Sequence, residues 1–410
     1  MNQKFKLIFL FIIFAILNSC KNRKGFSDTT LKSDASIIAF DPQKESNDTL
    51  KLIDVTFLKL KGPRVGNGEI ICSDKNVYLI RKTDFYVYDH SGNFLKHIDL
   101  KLIISDKIEE ITQAKYNFFN KTLELLVDAH SIETFSSSGN LLSSKDLVCQ
   151  VYNFQPLQDS YLLHNGFILC GDHELRQGFS NRLSLVNYKN PNNVAKDFLP
   201  FGFDGLKYPK ATIGVNNFFV SNSKCDSSLM FESFCDTIYS VRQDLIKPCY
   251  LIRFKGEEGK VSKILMDKGI VQKSREISKQ RLTSVNDLLV NSKFVYISFH
   301  YFSKKFKILL TGYALYNKLN KKIIVHGDGD YIPVDINNVR INFNSTAIPQ
   351  FMDTDGKLGS YINPSDFRHE LSYETAVHNG KGPYHELAKK FNLEQALRDD
   401  NPIAILYNIK

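Results

Sequence analysis

The sequence contains no tryptophan, four methionines, 22 glycines and 12 prolines among its 410 residues. These are too few glycines and prolines for a collagenous or low-complexity chain. With 43% hydrophobic and 24% charged residues, the chain also lacks the composition of a disordered protein. What it has in excess is aromatic residues of two kinds, 31 phenylalanines and 19 tyrosines. Together with many isoleucines and valines, they favour strands over helices in a globular protein.

Long hydrophobic runs are also missing. The longest run, Leu7 to Leu17, has eleven apolar residues, whereas a bilayer-spanning helix needs about 20. Lys4 and Lys6 precede this run, and a charged segment before a short apolar segment is typical of a secretory signal peptide. We therefore expect the mature chain to sit on a membrane rather than to cross it.

The residues that follow the apolar run read Leu17-Asn18-Ser19-Cys20. This segment resembles the lipobox of bacterial lipoproteins, in which cleavage precedes the cysteine and lipid is attached to it. Asn18 departs from the pattern, since a small or aliphatic residue usually stands there. The resemblance implies a signal peptide over residues 1–19, lipid attachment at Cys20, and a lipidated N-terminus and tether over residues 20–36. A plain signal peptide with an incidental cysteine is the alternative.

The charge of the mature chain also suits a membrane surface. Cleavage removes two lysines, which lowers the formal net charge from +9 to +7, and Lys21, Arg23 and Lys24 directly follow the anchor. Each such residue contributes about 1 kcal/mol of attraction near anionic headgroups. In related envelopes, acidic residues soon after the lipidated cysteine favour export to the cell surface. The first five residues after Cys20 include none, so the resemblance implies the periplasmic face of the outer membrane. We expect no nucleic-acid partner, because a net positive charge in an exported protein is more simply a solvated basic surface.

Besides the lipidated Cys20, six cysteines remain in the mature chain, and fifteen disulfide connectivities are possible among them. Cys72 and Cys170 each end an apolar run and are expected to be buried as small hydrophobic residues. Cys225 and Cys235 are the pair to test first for a disulfide. No Cys-x-x-Cys or Cys/His spacing indicates a zinc site.

A short motif recurs along the chain. Residues 87–100 read VYDHSGNFLKHIDL, and residues 134–147, at an offset of 47, read TFSSSGNLLSSKDL, with six of fourteen positions identical. Each copy predicts a strand, a tight turn that uses glycine for positive φ, and a returning strand. A fainter copy, residues 351–358, places Gly356 five steps of about 53 residues after Gly92.

A period of this length with several strands per unit predicts propeller blades. Radial packing covers both faces of each blade, which a single four-stranded sheet cannot do alone. Residues 52–410 accommodate six blades of roughly 60 residues. We therefore predict an all-β fold over residues 37–410, a six-bladed β-propeller of four-stranded antiparallel blades. Seven shorter blades, or two or three β-sandwiches, are the alternatives.

The end of the chain predicts how such a ring closes. The last strand, Pro402 to Ile409, is expected to pair with an N-terminal strand such as Thr56 to Leu60, which removes the open seam between first and last blades. A short helix is expected before it, because apolar residues from Tyr384 to Leu397 follow Pro383 at helical spacing. The sixth blade is expected to run from Ile323 to Ile362.

Three segments resemble the six-bladed β-propeller lipoproteins of Bacteroidetes, which have NHL-like architecture. They are residues 87–95, the DTIY segment at 236–239 with Pro248 and Tyr250, and the DDNP segment at 399–402. The resemblance covers most of residues 37–410 and implies a secreted, membrane-tethered propeller. Some NHL-type propellers bind partners and others are enzymes, so the fold does not decide the function.

Motifs that would indicate catalysis are missing. The sequence has no G-x-S-x-G, P-loop or G-x-G-x-x-G motif. His-Glu-Leu occurs at His173, His369 and His385, but none has a second histidine four residues after the first, as a zinc protease requires. We therefore predict no catalytic or metal-binding residue and no cofactor.

Two segments are candidates for ligand contact. His326, Asp328 and Asp330 stand in a His-Gly-Asp-Gly-Asp segment at a strand end, where they could meet a cation or a sugar; a simple turn is the alternative. Lys304, Lys305 and Lys307 stand beside Tyr301, Phe302 and Phe306. They could form a cationic, aromatic rim for an anionic glycan or peptide, or they could only alternate along an exposed strand.

The sequence as a whole favours a non-catalytic, monomeric envelope propeller, lipid-anchored to the outer membrane. It would be a binding or scaffold module for a peptide, glycan or envelope protein, with its site on loops at one end of the central channel. The first alternative is a lyase or hydrolase whose site at the channel mouth draws residues from several blades. The second is a structural subunit of an envelope transport complex.

Overall fold

The computed structural model describes residues 35–44, 46, 49–66, 68–147, 150–151, 153–164, 181–200, 219–221, 227–230, 237–242, 245–256, 283–326, 332–336, 338–343, 349, 351–353, 355–399 and 401–409. In this part of the chain, no helix is both long and apolar enough to cross a membrane.

The described chain is mostly strand. The strands of its first half are β1 (Ser36–Phe40), β2 (Leu50–Lys59), β3 (Glu69–Cys72), β4 (Asn76–Ile80), β5 (Asp84–Asp89), β6 (Phe94–Asp99), β7 (Ile111–Asn117), β8 (Thr122–Val127), β9 (Ser131–Ser136), β10 (Leu141–Asp146), β11 (Asn153–Pro156), β12 (Ser160–His164), β13 (Asn181–Asn187) and β14 (Val194–Pro200). Those of its second half are β15 (Phe219–Ser221), β16 (Ser227–Met230), β17 (Thr237–Arg242), β18 (Leu245–Phe254), β19 (Ser284–Val290), β20 (Phe294–Phe302), β21 (Leu309–Asn317), β22 (Ile323–His326), β23 (Ile332–Ile336), β24 (Val339–Phe343), β25 (Phe351–Met352), β26 (Leu358–Ile362) and β27 (Ile403–Ile409).

These strands form six antiparallel blades, which confirms the predicted six-bladed propeller and excludes seven blades. Blades one to five are the consecutive meanders β3–β6, β7–β10, β11–β14, β15–β18 and β19–β22. The closing blade has the order β25, β26, β27, β2 from the inside outward. Innermost strands of neighbouring blades contact each other, β25 with β3 and then β3 with β7, β7 with β11, β11 with β15 and β15 with β19.

Burial on both faces explains why β4 is apolar at four successive positions, Val77 to Ile80. In β4, Val77 and Leu79 pack toward the closing blade, in a cluster that includes Leu58 and Ala404. Tyr78, on the other face, packs in the core shared with blade two. Because successive side chains of a strand point to opposite faces, each blade holds two hydrophobic cores together.

The predicted closure of the ring is confirmed. β27 pairs antiparallel with β2, so that Thr56 lies opposite Leu406 and Lys59 opposite Ile403. β2 is therefore the outermost of the four strands in the closing blade. Two further strands extend this sheet, because β23 pairs parallel with β2 and β24 pairs with β23.

The predicted boundaries of the sixth blade are wrong. The segment that begins at Ile323 is β22, the outermost strand of blade five, which pairs with β21 from Tyr313 to Tyr316. The turn at Gly356 joins the first and second strands of the closing blade, whereas the turns at Gly92 and Gly139 join third and fourth strands. The fainter copy of the motif is therefore not a repeat of the same hairpin.

The helical region before β27 is more extensive than predicted. A short helix, α1 (Leu100–Ile103), links blades one and two, and α2 (Pro364–His378), α3 (Pro383–Lys390) and α4 (Glu394–Asp399) lie between β26 and β27. α2 was not predicted from the sequence. Its start is fixed locally, since the Asn363 side chain accepts from the Ser365 N–H and Pro364 occupies the first turn.

The repeated motif has a structural basis. The glycine turn in each copy of the motif packs against the preceding blade. A Cβ atom added to Gly92 would meet the Lys59 carbonyl, and one added to Gly139 would lie 2.7 Å from Ile98 Cδ1. A lysine of the preceding segment reaches the asparagine that follows each glycine. Lys61 Nζ donates to Asn93 Oδ1, and Lys96 Nζ donates to Asn140 Oδ1, both at 3.2 Å.

This packing makes Gly92 more sensitive than another glycine with the same backbone conformation. Gly92 has φ of +79° and Gly66 has φ of +75°, but the space around Gly66 is open. Alanine at either position adds about 1–2 kcal/mol of backbone strain. We expect Gly92→Ala to reduce the free energy of unfolding clearly more than Gly66→Ala does, as measured by urea denaturation. Equal losses would contradict the assigned contact.

Candidate functional site

The first hairpin of each blade fixes which residues of the innermost strands stand level with one another. In blades one, two, three and five, this turn is closed by pairing between the residues that flank it. The residue four positions before the start of this turn therefore lies at the same height along the channel axis in each of these blades. The residues at this level, called the polar tier below, are Glu69, Gln113, Asn153 and Asp287.

The polar tier is followed by a more apolar level two residues closer to the turn. Ile71 and Leu289 stand there in blades one and five, and Lys115 and Gln155 in blades two and three. The innermost strands of four blades thus supply two carboxylates, three side-chain amides and one lysine at these two levels.

The charged groups of the channel influence each other. Burial lowers the pKa of Lys115, while Glu69 and Asp287 act in the opposite direction. Burial likewise raises the pKa of Glu69, and Lys115 opposes this effect. Glu69 keeps solvent-accessible surface although protein surrounds it, as expected for a side chain in a narrow channel. The arrangement favours a ligand that offers both hydrogen-bond donors and acceptors.

Bulges precede two of the tier residues. The pairing of β7 with β8 shifts between Ile111 and Gln113, and that of β19 with β20 shifts between Val285 and Asp287. An extra residue in one strand re-aims the side chains next to it, and such bulges are common beside functional sites.

The amide groups are only partly used by the protein. Gln113 Oε1 accepts from the Phe154 N–H at 3.0 Å, which ties β7 to β11, and Gln155 Nε2 donates to the Pro156 carbonyl at 3.1 Å. Asn153 Oδ1 and Gln155 Oε1 are buried and accept no hydrogen bond. Buried acceptors are seldom left unpaired, so we expect a buried water to pair with each of these two atoms.

The polar tier lies toward one end of the ring, called the upper face below. This end carries the connections from second to third strands and from each blade to the next. It therefore carries α1, the turn between β20 and β21, and the insertion that contains α2 to α4. These are the longer described connections at this end of the ring, and a site on their loops stays a prediction.

A second polar cluster lies between blades two and three. The buried Glu124 side chain accepts through Oε1 from Asn117 Nδ2 (2.9 Å), Thr122 Oγ1 (3.1 Å) and the Tyr188 hydroxyl (2.9 Å). Its Oε2 atom is buried without a hydrogen bond, and burial raises the pKa of this carboxyl. The ammonium of Lys145 lies 4.0 Å from the centre of the Tyr188 ring. This cluster ties the two blades together.

Of the residues proposed from sequence, His326 can be placed, and it lies away from the innermost strands. His326 is the last residue of β22, the outermost strand of blade five, where it is buried and stacks on Tyr313 at 5.1 Å. Asp328, Asp330 and Cys20 lie outside the described residues. Glu69, Lys115 and Asp287 were not predicted from the sequence. The one signal that could have found them is a charged residue within the first strand of a blade.

Two of the His-Glu-Leu segments can be placed, and His173 lies outside the described residues. His385 Nδ1 lies 2.9 Å from Glu374 Oε2, and the Glu374 carboxylate also accepts from the Tyr384 and His385 N–H groups at the start of α3. His369 is exposed on α2. Across the described ranges, no three His, Cys, Asp or Glu side chains are grouped to hold a metal ion.

The cysteines can be assessed in part. Cys72 is a buried free thiol in the core between blade one and the closing blade, as predicted, and burial raises its pKa to about 12. Cys249 is free and half-buried. Cys170, Cys225 and Cys235 lie outside the described residues, so the disulfide between Cys225 and Cys235 stays a prediction.

No family model matches the sequence, and no curated protein matches it significantly. Among solved structures, a Bacteroides fragilis protein named as a predicted exported protein has a TM-score of 0.62 and 13% identity, over 92% of this chain and all of that one. Two further structures match too distantly to support an argument. One is a DUF4221 family member from Bacteroides vulgatus, with a TM-score of 0.44 and 9% identity over 89% of this chain and 99% of that one. The other is BamB from Moraxella catarrhalis, with a TM-score of 0.40 and 8% identity over 75% of this chain and 98% of that one. The first likeness agrees with the six-bladed β-propeller described above.

Proposed function

We propose that this chain is an envelope binding module, lipid-anchored through Cys20 to the periplasmic face of the outer membrane. The signal-like N-terminus and the lipobox-like segment before Cys20 support the export and the anchor. The name of the Bacteroides fragilis protein, which shares the fold over its whole length, supports export as well.

The observation that carries the binding role is the set of groups in the channel. Lys115 lies near the carboxylates of Glu69 and Asp287, and Asn153 Oδ1 and Gln155 Oε1 are unpaired acceptors. Mixed charges beside unpaired amide oxygens suit a peptide or glycan, because amide and hydroxyl groups both donate and accept hydrogen bonds. The closed ring would hold these groups rigidly, which reduces the entropy lost on binding.

A muropeptide, which carries a disaccharide and a peptide in one molecule, is a suitable first probe. We expect calorimetry to show binding to the wild-type chain and a loss of about tenfold or more in Lys115→Met, equivalent to about 1.4 kcal/mol. Lys189→Met, an exposed lysine on blade three, is the matched control and should bind as the wild type does. Failure of the muropeptide and of its separate sugar and peptide parts to bind, or unchanged binding by Lys115→Met, would rule out this channel site.

One observation favours the enzymatic alternative, a lyase or hydrolase. The pKa of Glu69 is raised and that of its neighbour Lys115 is lowered, and such pairs are used in acid–base catalysis. The same muropeptide incubated with the protein distinguishes the two functions. Product detected by mass spectrometry, and abolished in Glu69→Gln, would establish catalysis in place of simple binding.

A further inference from the structure

The hairpin of β20 and β21 turns at the upper face. Among the described residues, β19 pairs with β20 as far as His300, and β22 pairs with β21 from Tyr313 onward. The two central strands pair further, until Phe302 lies opposite Leu309. The turn beyond, residues 303–308, is called the lysine tip below.

The lysine tip combines positive charge with exposed apolar side chains. Lys304, Lys305 and Lys307 are exposed, and the side chains of Phe306, Ile308 and Leu309 are 46%, 53% and 63% exposed. Residues 288–327 contain seven lysines and no aspartate or glutamate, so no acidic residue of this segment offsets the charge. Tyr301, which the sequence analysis included in a basic rim, is buried and takes no part.

These exposed apolar residues lie in or next to an ordered turn. Ser303 N donates to the Ile308 carbonyl and Lys307 N to the Ser303 carbonyl, both at 2.9 Å. The Gln43 side chain bridges the base of the tip, since its Nε2 donates to the Phe302 carbonyl (2.8 Å) and its Oε1 accepts from Lys304 N (3.1 Å). The segment that follows β1 thus holds the tip in place.

We propose that the lysine tip docks on the surface of an anionic lipid bilayer. The three lysines would contact lipid phosphates, and Phe306, Ile308 and Leu309 would enter the boundary between headgroups and acyl chains. Basic and apolar residues side by side are the combination by which interfacial segments bind such membranes.

The length of the tether permits this contact. β1 begins at Ser36, sixteen residues after Cys20, and an extended chain of that length spans at most about 55 Å. The docking rests on the proposed lipid anchor for its location, but it does not depend on a channel ligand. Because the tip lies at the upper face, docking would turn the channel mouth toward the bilayer.

Vesicle co-sedimentation tests the docking separately from the anchor. The mature chain, beginning at residue 20 and carrying Cys20→Ser, keeps every described residue but cannot be acylated there. We expect it to bind vesicles of phosphatidylcholine mixed with phosphatidylglycerol, to bind vesicles of phosphatidylcholine alone far less, and to be released by salt. Replacing all three tip lysines by glutamate should weaken binding by about a hundredfold or more, at about fivefold or more for each lysine. Phe306→Asp should also weaken it.

The turn at the opposite end of the same blade provides matched controls. Leu319 is 79% exposed there, and Lys321 is an exposed lysine. Leu319→Asp and Lys321→Glu should leave vesicle binding unchanged. Equal binding to both kinds of vesicle, or equal losses in tip and control variants, would overturn the proposal. So would a dimer, measured by light scattering, that the tip variants convert to a monomer, because a second copy would then occupy the tip.

Discussion

Ile405→Ala is expected to reduce the free energy of unfolding by about 2–5 kcal/mol, the usual cost of shortening a buried isoleucine. Ile405 is only 1% exposed and lies in β27, paired on one side with Phe57 of β2 and on the other with Ser360 of β26. The substitution therefore leaves a cavity where β2 joins β27 in the closing blade. Urea denaturation followed by circular dichroism measures the loss.

Leu142→Ala is the control for this prediction. Leu142 is 58% exposed on β10, so its truncation should change stability by no more than about 0.5 kcal/mol. If Ile405→Ala were as mild as Leu142→Ala, the closing pairing of β27 with β2 would not contribute to holding the ring together.

Replacing Glu124 by leucine is expected to cost about 3 kcal/mol or more. The change removes the acceptor of Asn117 Nδ2, Thr122 Oγ1 and the Tyr188 hydroxyl, and each buried donor left unpaired costs about 1–3 kcal/mol. Glu124→Gln keeps the acceptor oxygen, so it should cost much less. Denaturation at constant pH compares the two variants.

The same carboxyl predicts a dependence on pH with a definite sign. Burial raises the pKa of Glu124 in the folded state above its unfolded value. The folded chain therefore holds this proton more tightly, so its contribution to stability is complete below the unfolded pKa and is lost as pH rises through the folded pKa. Glu124→Gln, which mimics the protonated acid, should become more stable relative to the wild type as pH rises through this range. A difference that stayed constant with pH would contradict the raised pKa.

The features that the sequence predicted correctly depend on local patterns. The hairpins around Gly92 and Gly139 follow from alternating side chains and a glycine with positive φ, and the closing strand follows from an apolar segment after Pro402. The limits of the sixth blade could not be predicted from such local patterns. The parallel pairing of β23 with β2 joins segments about 280 residues apart, and no local pattern encodes it.

The channel site was beyond sequence reasoning for a related cause. Glu69, Lys115 and Asp287 are far apart in the chain and approach each other only because equivalent strands line one axis. His326 stands beside two aspartates in sequence, yet its strand is the outermost of its blade. Closeness along the chain was therefore a poor guide to the residues that share the channel.

The position of β2 has a consequence for how the protein is made. Its antiparallel partner β27 lies at the other end of the chain, more than 340 residues later. Ribosomes add roughly 5–20 residues each second, so β2 waits roughly 20–70 s for that partner. During this interval, blade one has no completed neighbour on one side, and the hydrophobic residues of that side, Val77 and Leu79 among them, need protection. A chaperone that protects the incomplete chain is thus most needed at blade one, the earliest blade to be synthesised.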